Sequence, residues 1–361
     1  MSRPARSRAS LVWLAVLALG LVMGLVTACG GGGSAPADPA SGDAAVAVAS
    51  TTGTLEPAGE PGPNATVVTV GIYGINAYAI DPGANTFYMS AYVWLRWHGD
   101  IDPVATLEFA NMTEERLRKT LLDPVMELPN GDKLQQLKVQ GRFFDPYNLS
   151  DYPLDRQSIS IYVEDSTYTA DTVVYQADTS GTGYDSSLQI PGWDVTGMTV
   201  ANLVHEYGTN FGDPAAGASS YSAAEFSLHI ARLRSMFLWK LLLPLLLVLC
   251  TNWLALVLPP RFADARMAMP ATALLTTVFL QQSSLAAIPQ VSTLVLMDVI
   301  YLMAYIAIVA TAARVILANL RYRPDLDAAV VARMHRTDLV LLTVQAVVVI
   351  GALVQMVVSR S

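Results

Sequence analysis

The chain has 361 residues, 53% hydrophobic and only 14% charged, with a formal net charge of −8. That is too apolar for an ordinary soluble domain, while the first half is too charged for a pure membrane bundle. Residues 30–235 carry 25 acidic and 10 basic side chains, and residues 236–361 carry 5 acidic and 9 basic ones. An acidic aqueous domain is therefore expected to precede a basic, hydrophobic membrane domain.

The opening MSRPARSRASLVWLAVLALGLVMGLVTAC has a basic start, an apolar run and a small-residue end, the pattern of a secretory signal over 1–28. Val26-Thr27-Ala28-Cys29 is similar to a lipobox, in which Cys29 is lipidated after cleavage. A plain signal peptide and an uncleaved anchor are the alternatives. The other cysteine, Cys250, sits in an apolar run, so no disulfide within the aqueous domain is expected. Residues 29–64, rich in Gly, Ala, Pro and Ser, read as a flexible linker.

From Ala65 to Ser235 the pattern changes. VVTVGIYGINAYAI, TFYMSAYVWLRW, KLQQLKVQGRFF and RQSISIYVED alternate apolar and polar residues, with VVYQAD, GWDVTGMTVANLVHEY and AAEFSLHIARLR following. These predict strands. Asp81-Pro82-Gly83, Asn130-Gly131-Asp132 and Asp145-Pro146 mark turns between them. A short helix is expected over Thr113–Leu122, opened by Thr113 with Glu114 and Glu115 in its first turn. The sum is an all-β sandwich.

Residues 236–361 hold four apolar segments, at about 236–258, 267–288, 292–317 and 339–358, each near the roughly 20 residues that a spanning helix needs. Arg261 and Arg266 follow the first; Arg314, Arg321, Arg323, Arg333 and Arg336 surround the long loop after the third. The positive-inside rule places both loops inside, and the β domain outside, as the signal sequence also requires. The second segment carries Thr272, Thr276, Thr277, Gln281, Gln282, Ser283 and Ser284. Polar residues at membrane depth face a cavity or the bundle interior. Ala268, Thr272, Leu275, Phe279, Gln282 and Ala286 step by four and three and share one helical face. That face reads as a pore wall with a hydrophobic constriction. Pro270 is expected to disturb its first turns.

An exported β-sandwich followed by four spans with a polar second one resembles the pentameric ligand-gated ion channels, the Cys-loop receptor family. Asn148-Leu-Ser-Asp-Tyr152-Pro153-Leu154-Asp155 is similar to the family's signature loop, without the flanking cysteines, as in prokaryotic members. Arg232, twelve residues before Pro244, has the spacing of the pre-membrane arginine, and Gly192-Trp193-Asp194 resembles a common strand start. Arg266 and Pro289 resemble the residues that open and close the pore segment.

The resemblance implies a homopentamer in the bacterial inner membrane, with permeant ions, membrane lipid and sister subunits as partners. Asp155 and Arg232, with Tyr152 and Pro153, are expected to couple outer domain to pore; Asp81 is either a third member or a turn aspartate. Leu275 implies a leucine girdle that blocks ions by dewetting, tightened by Phe279, with Thr272 and Ala268 lining the inner half. Asp264, just before the span, implies a carboxylate ring that favours cations, whereas Ala265-Arg266 resembles the inner mouth of anion-selective relatives. The acidic outer domain favours cations.

Ligand binding between subunits uses an aromatic cage in this family. The usual Trp-x-Pro run is replaced by Ile101-Asp-Pro-Val104, so part of that cage is missing. Tyr207, Phe211 and Tyr221 in the last hairpin, with Tyr168 and Tyr175 opposite, are the remaining candidates. The agonist stays open between protons and an unknown small molecule, with calcium at Glu164-Asp165 as a possible modulator. No enzyme motif is present: GxSxG, a P-loop and HExxH are absent, and the histidines are scattered. No nucleic-acid partner, cofactor or metal centre is expected. The rival reading is a periplasmic sensor or binding lipoprotein on a four-helix anchor.

Overall fold

Twelve strands and four long helices follow one another in the computed structural model, which describes residues 53–113, 120–122, 124–212, 219–285 and 295–359. The strands are β1 (Thr54–Pro57), β2 (Thr66–Asp81), β3 (Thr86–Trp97), β4 (Leu107–Phe109), β5 (Thr120–Leu121), β6 (Met126–Glu127), β7 (Lys133–Phe144), β8 (Arg156–Asp165), β9 (Val173–Ala177), β10 (Gly183–Tyr184), β11 (Trp193–Tyr207) and β12 (Ser219–Arg232). They form two sheets, one ordered β1-β11-β12-β8-β4, the other β10-β2-β3-β7-β5 with β6 and β9 attached. Alternation drives the pairing: Val68, Val70 and Ile72 of β2 and Val93 and Leu95 of β3 meet Ile159, Ile161 and Val163 of β8 and Phe226, Leu228 and Ile230 of β12 in one core. The sheets thus pack through their apolar faces.

Two expectations for this half are corrected. The helix expected over Thr113–Leu122 is not its structure at either described end. Thr113 directs its amide and its hydroxyl to the carbonyl of Arg142, and Thr120 and Leu121 pair with Lys138 and Leu137 of β7. The open edge of β7 supplies backbone partners that outweigh a local helix-start signal; residues 114–119 lie outside the described residues. The expected linker also ends earlier, because Thr54–Pro57 adds to the edge of β11, Thr54 opposite Glu206 and Pro57 opposite Leu203. That pairing uses backbone groups alone, so no apolar alternation announces it. The signal peptide, Cys29 and most of the linker lie outside the described residues.

A π-helical turn, Phe237–Leu242, leads from β12 into α1 (Leu243–Val257). α2 (Ala263–Leu285), α3 (Leu296–Arg321) and α4 (Ala328–Ser359) follow. Among the described residues, three helical stretches are long and apolar enough to cross a membrane: Phe237–Val257, Leu296–Arg321 and Ala328–Met356. α2 is of similar length, 23 residues, but more polar. It continues through Pro270 rather than breaking there. It also begins at Ala263, so Asp264 lies inside its first turn, where a carboxylate suits the helix dipole. The expected long basic loop is mostly helix: α4 starts eleven residues before the expected Leu339. Leu245, Leu249 and Trp253 of α1, Ala273 of α2, Ile300, Tyr301 and Ala304 of α3 and Val349 and Leu353 of α4 share one apolar core.

Candidate functional site

The loop between β7 and β8 carries the first group of candidates to the end of the helices. The Tyr152–Pro153 peptide is cis, and Leu154 packs into the helix core beside Phe237, Val295 and Leu296. The Leu296 amide donates to the Ser150 carbonyl at 3.1 Å. Asp155 follows Leu154, directly precedes β8 and is 1% exposed. Arg232, the last residue of β12, donates from Nε to its Oδ1 at 2.7 Å and from Nη2 to Oδ2 at 3.2 Å. Gln157 donates to Oδ2 at 2.8 Å, so the carboxylate is fully engaged. The guanidinium also lies over the rings of Trp193, at 4.1 Å, and Tyr152, at 4.8 Å. Burial raises the Tyr152 phenol above its ordinary range, and the Arg232 charge offsets part of that. Asp81 is not part of this group: its Oδ1 accepts the amides of Gly83 and Ala84 and closes its own turn.

α2 presents two faces. Arg266, Pro270, Ala273 and Thr277 are buried against the neighbouring helices, whereas Asp264, Ala268, Thr272, Leu275, Phe279 and Gln282 are all exposed in the single chain. Leu275 is 58% and Phe279 65% exposed. Much of the polar load is absorbed locally. Thr276, Thr277 and Ser284 donate to carbonyls one turn back. Ser284 also bonds the hydroxyl of Tyr301, and Gln281 accepts from Tyr305, both on α3. Thr272, Gln282 and Ser283 are exposed. Ala286 and Pro289 lie outside the described residues.

Sequence reasoning missed one residue here. Asp338, on α4, is fully buried and pairs with Arg266 at 2.7 Å. An acid at the very start of an apolar run, with two arginines in the preceding segments, was the signal available. Arg266 is thus not a loop charge.

In the outer domain the last hairpin gathers three candidates. Tyr207 lies 5.2 Å from Phe211 and 5.7 Å from Tyr221, ring centre to ring centre, both edge-on. His205 stacks on Tyr207 at 3.9 Å and bonds Glu164 through Nδ1 at 2.8 Å. Tyr207 donates to the other Glu164 oxygen at 3.0 Å, and burial followed by that carboxylate's charge raises its phenol well above the ordinary range. Tyr175 and Tyr168 do not join them. Tyr175 is fully buried in the sandwich core, its hydroxyl directed at Asp165 and the Pro103 carbonyl, because its strand position faces inward. Tyr168 packs against the same core.

The Glu164-Asp165 carboxylates named for calcium are engaged by the chain's own groups. Glu164 is taken by His205 and Tyr207. Asp165 accepts from Thr106, Tyr175 and the amides of Thr167 and Tyr168. No group of three or more potential ligand side chains converges among the described residues.

The β-sandwich set on long helices through a loop carrying a buried Asp–Arg pair fits the resemblance to one class, the pentameric ligand-gated ion channels, and that resemblance holds in direct comparison. The chain is similar to a proton-gated ion channel of Gloeobacter violaceus, 24% identical over 211 residues, which cover 52% of this chain and 55% of that one. It is also similar to a gamma-aminobutyric acid receptor subunit beta of Lymnaea stagnalis, 24% identical over 178 residues, 48% of this chain and 34% of that one. The chain thus spans about half or less of the length of these curated relatives. No family model matches it. The relatives are channels and receptor subunits, not enzymes.

Proposed function

We propose that five copies of this chain assemble into a gated ion channel that conducts cations across the bacterial inner membrane. The single observation that carries this reading is the exposed face of α2. A membrane-length helix packed on two apolar neighbours, α1 and α3, leaves Thr272 and Gln282 uncovered above and below Leu275 and Phe279. Polar side chains in that position gain only from water, and a ring of such faces encloses it. Leu275 and Phe279 form the gate, and Asp264 at the inner mouth favours cations. The acidic β domain lies outside, the signal peptide is removed, and Cys29 is the lipid attachment site.

The Asp155–Arg232 pair, with Tyr152 and Pro153, transmits movement of the β-sandwich to the helices. The hairpin cluster of Tyr207, Phe211 and Tyr221 is the candidate agonist site, and protons are a second candidate stimulus, since one relative is a proton-gated channel. A sensor on a helical anchor would carry no current. Purified protein in liposomes under a cation gradient tests the reading. Flux is expected on acidification or on ligand addition, and Leu275→Ala is expected to raise resting flux by loosening the dewetted ring. No flux from either protein between about pH 4 and pH 8, the span over which carboxylates and histidines titrate, would overturn it.

A further inference from the structure

The inner ends of three helices meet in a buried charge cluster that the pore reading leaves unused. Arg266 lies on the α2 face shared by Pro270, Ala273 and Thr277, about half a helical turn round from Ala268, Thr272 and Leu275. It is fully buried. Its Nη2 donates to Asp338 Oδ2 at 2.7 Å and its Nε to the Ala255 carbonyl at 2.9 Å, while Nη1 has no hydrogen-bond partner among the described residues. Arg314 of α3 lies on the other side of the same carboxylate. Its Nε is 2.7 Å from Oδ1, without the alignment of a hydrogen bond, and its Nη2 donates to the Met334 carbonyl at 3.1 Å. An arginine does not shed its proton in a protein. Two guanidiniums therefore share one carboxylate, and the cluster holds a net positive charge behind the face that bears Asp264.

We infer that this cluster is the second determinant of charge selectivity at the inner mouth, and that Asp338 is the specificity-determining residue within it. Asp338 neutralises Arg266 and holds its side chain between α1 and α4, away from the ion path. The inference rests on the pore reading above. A buried charge is screened far less than an exposed one, and a helix is only about 10–12 Å across. Each subunit's cluster thus acts on ions on the far side of α2, with a sign opposite to that of Asp264. His335 stands three residues before Asp338 on the same side of α4, with Nδ1 buried and without a partner among the described residues. Sequence reading pits Asp264 against Arg266 as rivals at one mouth. The structure separates them onto opposite faces and gives Arg266 a counter-ion.

The test is the reversal potential of the full chain in liposomes or planar bilayers under a sodium chloride gradient. Asp338→Asn is expected to lower the sodium-to-chloride permeability ratio by at least about threefold, and Arg314→Gln to raise it by a similar factor. Asp338→Glu should restore the wild-type ratio. Opposite shifts from two residues that touch each other are the signature of charge. A merely structural cluster would change yield or current size and leave the ratio fixed in both variants, which overturns the inference. Should Asp338→Asn not fold, Arg314→Gln decides alone. Wild-type protein without current removes the pore reading and the inference with it, whereas current with unchanged ratios removes the inference only.

Discussion

Asp145, in the turn after β7, shows how one residue's surroundings set a pH response. Its carboxyl accepts the Ser160 amide at 2.7 Å, but burial dominates and, helped by the nearby Glu225 charge, lifts its pKa from 3.8 to about 6. Glu225 accepts from Tyr162 and Ser227, and burial raises the Tyr162 phenol to about 12. The sign follows directly. Between the two Asp145 values the folded protein holds a proton that the unfolded chain has released. Stability from this group is therefore present at low pH and lost as pH rises through about 6. Allowing for solvent screening of a half-exposed group, the contribution is about 1 kcal/mol. Asp145→Asn should raise thermal stability near neutral pH by that order and flatten the slope between about pH 4 and pH 7 relative to the parent protein, as measured by unfolding of detergent-solubilised protein. An unchanged slope would remove Asp145 from the account. Tyr175 teaches the complementary lesson: its residue type suits a ligand cage, but the inward register of β9 spends it on the core.

At the scale of elements, what was legible followed from side-chain periodicity. β2, β3, β7, β8, β11 and β12 show in the sequence because apolar and polar residues alternate where one face is buried, and the helices show through their apolar length. β1 and β5 do not show, because both are held to sheet edges by backbone groups. The first turns of α4 were hidden by their arginines, since a polar helical stretch reads as a loop. The exposed face of α2 was legible from spacing, whereas its bonds to Tyr301 and Tyr305 needed the neighbouring helix in place.

The junction is where elements depend on each other most. β8, β12 and the β7–β8 loop meet at Asp155, and Leu154 next to it enters the helix core. Removing one partner of a buried ion pair leaves the other uncompensated and costs about 3–5 kcal/mol. Asp155→Ala and Arg232→Ala should each destabilise the protein by about that amount, and the double substitution by clearly less than their sum. A double-substitution cycle on thermal or denaturant unfolding reads this. Strict additivity would show that the contact has no energetic weight, and with it would go its proposed coupling role.

At the scale of the whole molecule, a single chain leaves part of α2 uncovered. α2 buries one face against α1 and α3, while the opposite face exposes Leu275 and Phe279 beside Thr272 and Gln282. Lipid would accept the leucine and the phenylalanine but not the threonine and the glutamine. Bulk water would accept only the reverse. A shared axis satisfies both: the polar positions meet a water column, and the apolar ones meet their own copies. Closed rings are the usual outcome when one surface patch meets a different one on the next subunit, and the number of copies fixes how far apart the Leu275 side chains stand. The expectation is a ring of five in mild detergent, with a mass of about five times the 38.7 kDa chain less any cleaved leader, visible as five-fold class averages in electron microscopy. A protein that stays monomeric at the concentrations used for imaging would leave the exposed face of α2 without an explanation in water. It would favour the anchored sensor, in which that face has to meet another membrane protein.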